Sequence, residues 1–192
     1  MKAIVRPALV VFALLTLITG TVYPAIVYGI GKAFFSGKAE GSLIESNDKI
    51  VGSRLIGQNF TSPGYFWGRP SATSPYPYNA AASSGSNQGP LNPDLAEAVA
   101  NRKAALLEFD PNNTLPIPVD LVTASGSGLD PDISPAAAYY QAARVAQARG
   151  LKETQILALI KDHTQARQFG VLGEPRVNVL EINMALDRLS VK

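Results

Sequence analysis

The hydrophobic pattern splits this chain into two unequal parts. Between Arg6 and Lys32 lie 25 residues without a charged side chain, and beyond them polar and charged positions recur to the end. As a helix that run extends about 37 Å at ~1.5 Å per residue, enough to cross a hydrocarbon core of roughly 30 Å with some tilt. The pattern predicts a short tail (1–6), a membrane helix (7–31) and a soluble domain (32–192).

A cleaved secretory signal is the competing reading, with Lys2 and Arg6 as its positive end and residues 8–18 as its apolar core. Tyr23 and Pro24 fit badly where a cleavage site needs small residues, and the apolar run continues through Ala25, Ile26, Val27 and Ile30. An uncleaved anchor is therefore favoured. Lys2, Arg6 and the amino terminus oppose Lys32 and Lys38, a margin of three to two for a cytoplasmic N-terminus. The expected topology places the domain outside.

Within the domain, short apolar runs predict strands at 42–45, 49–52 and 55–57, with a turn at 46–48, and a further strand at 120–123. Residues 60–93 are dense in Gly, Pro, Ser and Asn, yet Phe60, Tyr65, Phe66, Trp67, Tyr76 and Tyr78 punctuate them. Disordered segments are poor in aromatics, so this block reads as an ordered, irregular surface. Asn92-Pro93 caps a helix whose Leu95, Val99, Arg102 and Leu106 share a face, and Asp110-Pro111 stops it. Ser125 to Gly128 reads as a turn into a helix start at Asp130-Pro131. Ser134-Pro135 opens another helix, with Tyr139, Ala142 and Ala146 aligned, and Gly150 closes it. Residues 152–163 continue as a third helix with Ile156, Leu159 and Ile160 inward. Asn178 and Glu181 resemble a capping box before the stripe Val179, Ile182, Leu186 and Leu189. The fold class expected is a single N-terminal transmembrane helix plus an α+β extracytoplasmic domain.

Charge narrows the functions available. Four of the 17 basic residues precede Ala39, leaving 13 against 15 acidic ones, a net of −2 for the domain. Such a balance offers no electrostatic footprint for nucleic acid. Cysteine is absent, which removes disulfides, thiolate nucleophiles and Cys-ligated zinc. The lone histidine, His163, has neither a Cys nor a second His to complete a metal set. Serine-rich stretches at 83–86 and 125–128 lack both a nucleophile elbow and an S-x-x-K pattern, and no phosphate-cradling Walker motif occurs. The residues contain no recognisable catalytic site.

Several segments, taken in order, resemble one family. They are Thr19-Gly20 with Tyr23-Pro24; Gly52-Ser53, Leu55 to Phe60; Tyr65-Phe66, Gly68 to Thr73; Pro77 to Asn79; Ser86-Asn87; Asn92-Pro93; Leu121 to Asp130; and Val177-Asn178 through Leu189. Together they are similar to the C subunit of the bacterial potassium-transporting Kdp P-type ATPase, the KdpC family, across nearly the full chain.

The resemblance implies an accessory, non-catalytic subunit of an ATP-driven high-affinity potassium uptake pump in the bacterial inner membrane. Its partners would be the potassium-translocating, channel-like subunit and the ATP-hydrolysing P-type subunit. It implies no cofactor of its own, ATP and potassium being handled by the complex. The family is described as a catalytic chaperone raising ATP affinity of the hydrolysing subunit. A domain outside the membrane cannot touch cytoplasmic ATP, so the physical reading prefers an assembly subunit whose outer domain caps the potassium entrance. The candidate partner contacts are Thr16, Gly20, Tyr23 and Pro24 on the anchor and Tyr65, Phe66 and Arg69 in the irregular block. Phe66 and Trp67 also suit the domain core. The alternative function is a membrane-anchored extracytoplasmic binding module, for example one holding cell-wall glycans on the aromatic block.

Overall fold

The computed structural model describes residues 2–46 and 48–189. They fall into two compact units, Met1–Leu43 and Ile44–Lys192.

The first unit is the apolar run. Helix α1 (Lys2–Leu17), a five-residue π-helical turn (Ile18–Val22) and helix α2 (Tyr23–Phe34) follow one another without a break, and a short α3 (Ser36–Ala39) closes the unit. Residues Ala3–Phe34 make one helix of 32 residues that contains an 18-residue stretch of mean hydropathy 2.1 with none of it buried, long and apolar enough to cross a membrane. The π-turn has a local cause. Pro24 carries no N–H and its ring would press on the carbonyl four residues back, at Gly20. The backbone widens there instead, and the Tyr23 N–H bonds Ile18 O five residues back.

The second unit mixes helices and short strands. Strands β1 (Leu43–Ser46) and β2 (Lys49–Ser53) form a two-stranded sheet, as their apolar runs predict; Asn47 of the predicted turn lies outside the described residues. Residues 55–57 are not a strand. Leu55 N–H bonds Ser53 Oγ and Gly57 N–H bonds Leu129 O, so the segment is tied to a loop rather than to a neighbouring strand. The strand expected at 120–123 is a single 3-10 turn (Val119–Leu121). Pro118 leads into it, and the Asp120 carboxylate accepts the Ser134 N–H at 2.8 Å. Nor does Asp130-Pro131 open a helix. Asp132–Ile133 is strand β3, and the helix begins after it.

That helix, α5 (Pro135–Arg149), starts where Ser134 Oγ accepts the Ala137 N–H and ends at Gly150, which adopts φ +64°. Its buried face is Ala137, Ala138, Gln141, Ala142 and Val145, whereas Tyr139 is 41% exposed and turned away. Helices α6 (Glu153–His163) and α7 (Val179–Leu189) pack with α5 in sequence, Ile156 and Ile160 meeting Ile182 and Leu186 in the core. Beneath them lies an antiparallel sheet in the order β3-β5-β4, with β5 (Arg176–Asn178) central and β4 (Thr164–Gln165) on its far side. Ile133 and Val177 pair across β3 and β5 and are both buried. Helix α4 (Pro93–Phe109), capped by the Asn92 side chain, adds Leu106 to the same core.

Candidate functional site

The irregular block has few backbone ladders of its own, so side chains of the helices hold it. Two buried amides do most of this. Asn183 on α7 accepts the Phe66 N–H at 2.8 Å and donates to Phe66 O at 3.0 Å. Gln141 on α5 accepts the Trp67 N–H at 2.8 Å and donates to Trp67 O at 3.2 Å. Each amide thus pairs with one residue's backbone as a neighbouring strand would. Two arginines extend the clamp. Arg144 donates to Pro63 O, Tyr65 O and Gln141 Oε1 and lies 4.2 Å from the Trp67 ring centroid. Burial pushes its pKa down to about 10, which leaves it charged at neutral pH. Arg149 bonds Gly64 O and Asp187 and covers the Tyr65 ring at 4.4 Å.

Further along, hydroxyl groups fasten the loop. Ser71 Oγ donates to Gly128 O at 2.7 Å and accepts the Tyr78 N–H at 2.9 Å; Thr73 Oγ1 donates to Tyr76 O and accepts the Asn79 N–H. Tyr78 folds back so that its Oη donates to Arg69 O at 2.5 Å, and burial pushes its phenol up to about 12.

Each sequence-predicted contact residue has a definite place. Phe66 is fully buried, so its ring belongs to the core and is closed to any partner. Tyr65 is half-buried, its Oη on Asp187 at 3.2 Å. Arg69 already has internal partners, Asp130 at 3.2 Å and Ala124 O at 3.4 Å, and its buried Nε has none among the described residues. Thr16, Gly20, Tyr23 and Pro24 are all exposed on the anchor, and a Cβ added at Gly20 would meet nothing within 4 Å beyond its own helix backbone and chain neighbours. His163 caps the end of α6, its Nδ1 3.0 Å from Leu159 O. No group of three or more His, Cys, Asp or Glu side chains able to hold a metal occurs among the described residues.

The structure adds three residues that sequence reasoning passed over, Asn183, Gln141 and Arg144, and gives new roles to Tyr78 and Arg102. Asn183 carried a signal, because it is a polar residue on the apolar stripe of α7. Arg102, read only as part of a helix face, bonds Val122 O at 2.9 Å, and burial lowers its pKa. Beside it, Phe60, Trp67, Arg69, Tyr78, Leu106 and Phe109 surround a cavity of about 420 Å³.

Residues 5–188 match the family described as K+-transporting ATPase, c chain, KdpC. The chain belongs to the KdpC family. Relatives agree over nearly their whole length. The potassium-transporting ATPase KdpC subunit of Herminiimonas arsenicoxydans is 64% identical over 98% of this chain and 99% of its own. Those of Dechloromonas aromatica (62%, over 99% and 100%) and Methylococcus capsulatus (61%, over 96% and 97%) are similarly close. KdpC membership makes this chain an accessory membrane subunit of a potassium pump, with one candidate span among the described residues, at Ala3–Phe34. The block clamped by Asn183, Gln141 and Arg144 holds several of the segments on which the KdpC resemblance rests.

Proposed function

We propose that this chain is the assembly subunit of a potassium-importing P-type pump, binding the channel-like and ATP-hydrolysing subunits and doing no chemistry itself. The family match over residues 5–188 is the observation that carries this reading. The anchor crosses the inner membrane once with its N-terminus in the cytoplasm, and Thr16, Gly20, Tyr23 and Pro24 meet partner helices, where close approach depends on small residues. The domain stands outside, over the potassium entrance, with Tyr65 and Arg69 near the contact. Any effect on ATP affinity then passes through the assembled complex as a coupling between states that the subunit binds unequally.

Topology and assembly are tested together. The chain has no native cysteine, so Ser84→Cys and Leu91→Cys, at two exposed positions, report cleanly. An impermeant maleimide should label both in intact cells with a permeabilised outer membrane. Labelling only after lysis would put the domain inside and return it to direct contact with ATP. In the same cells, Gly20→Leu should weaken copurification with the partner subunits without preventing insertion, and unchanged recovery would remove the anchor from the interface.

A further inference from the structure

The cavity beside α4 combines features that the assembly role does not require. Its volume, about 420 Å³, falls in the roughly 300–1,000 Å³ occupied by small-molecule sites. Its walls are aromatic and aliphatic, from Phe60, Trp67, Tyr78, Phe109 and Leu106, and no carboxylate lines it. Two guanidinium groups, Arg69 and Arg102, do.

Their charge is unevenly answered. Arg69 is offset by Asp130 at 3.2 Å, although its Nε–H is buried without an acceptor among the described residues. Arg102 is half-buried, gives one N–H to Val122 O, and forms no ion pair among the described residues. A cation withdrawn from water without a counter-charge is costly, and an anion entering the cavity would recover that cost. The guanidinium fork matches a carboxylate, and the surrounding rings offer faces and edges to a flat apolar body. With one unanswered cation, a monoanion fits better than a multiply charged phosphate, whose further charge would find no second free cation in the lining.

We propose that this cavity is a binding site for a small aromatic monocarboxylate, its ring against Trp67 and Phe109 and its carboxylate on Arg102. Recognition depends on the charge and the ring together.

The single tryptophan lies in the cavity wall, so its emission in the purified full-length chain reports occupancy directly. The probes are phenylacetate, its neutral match phenylacetamide, and acetate, which lacks the ring. Phenylacetate should shift Trp67 emission saturably with a Kd below about 1 mM, and the other two should bind at least about tenfold more weakly. Arg102→Met should bring the acid and the amide to equal affinity, and Arg102→Lys should keep part of the preference. Equal responses to acid and amide, no saturable response, or an undiminished preference in Arg102→Met would each overturn the proposal. The acid-to-amide ratio is read on the unaltered chain, so a variant that failed to fold would leave that comparison decisive.

Discussion

Replacing Asn183 by alanine should release the irregular block from the helices. The amide bonds both the N–H and the carbonyl of Phe66, in a region where Asn183 is 1% and Phe66 0% exposed. Asn183 holds both Phe66 groups, and an unmet buried polar group costs about 1–3 kcal/mol. Two such groups, partly relieved as the loop shifts toward water, give a loss of about 2–4 kcal/mol. At about 2–4 °C per kcal/mol for a chain of this size, the melting temperature should fall by about 4–16 °C. Trp67 adjoins the bonded residue, so its fluorescence in a urea titration should report the loosening at lower denaturant than far-ultraviolet circular dichroism reports the helices. Asn183→Leu separates hydrogen bonding from volume, because it refills the space and still leaves Phe66 unmet. Wild-type stability in Asn183→Leu would refute the argument, since shape alone would then hold the block.

Two further perturbations test how the loop is fastened. Gly128 sits at φ +68°, and a Cβ there would lie 2.5 Å from Thr73 Cγ2 and 2.6 Å from Ser84 O; Gly128→Ala should cost about 2–4 kcal/mol of unfolding free energy, read from a urea titration. Gly126→Ala, with open space around its Cβ, should cost under about 1 kcal/mol and serves as the control. Tyr78, with its phenol pushed from 10.0 to about 12 in the folded chain, keeps its proton where the unfolded chain has lost it. The stability it contributes is fully present below pH 10 and is lost as pH rises through about 12. In an alkaline absorbance titration, one of the seven tyrosines should ionise last, and Tyr78→Phe should remove that step; an unchanged late step in the variant would assign it elsewhere.

Helix positions were readable because caps and periodicity are local. Asn92-Pro93 and Ser134-Pro135 start α4 and α5 where their side chains accept backbone N–H groups two and three residues on. Asn178 does cap α7 through the Glu181 N–H, but Glu181 turns to Arg54 at 2.6 Å instead of completing the box. The apparent strands at 55–57 and 120–123 failed because apolar composition does not supply a pairing partner: Gly57 bonds to a distant loop at Leu129, and 120–123 closes its N–H groups on its own turn at Pro118 and Val119. On α5, Ala142 and Ala146 are buried as expected but Tyr139 is turned out, and the buried polar residues Gln141 and Arg144 mark the inner surface better than Tyr139 does. In the candidate site, the aromatic block was visible and its order inferred from its rings. Its clamps were not, since Phe66 meets Asn183 across a separation of 117 residues, and nothing in local sequence encodes that meeting.

The wide turn in the anchor fixes how the helix must lie in a bilayer. At ~1.5 Å per residue, α1 with 16 residues and α2 with 12 extend about 24 Å and 18 Å. Neither alone crosses a hydrocarbon core of roughly 30 Å, so the span includes the π-turn and carries it below the headgroups. Pro24 brings no N–H to Gly20, and the neighbouring Thr19 hydroxyl is already committed to Leu15 O at 2.7 Å. Water is scarce at that depth, and backbone oxygens there need donors from protein. Pro24 therefore removes one backbone donor at a depth where lipid supplies none. Sliding the helix by a turn would move the π-turn to a different depth, which makes it a marker of vertical position.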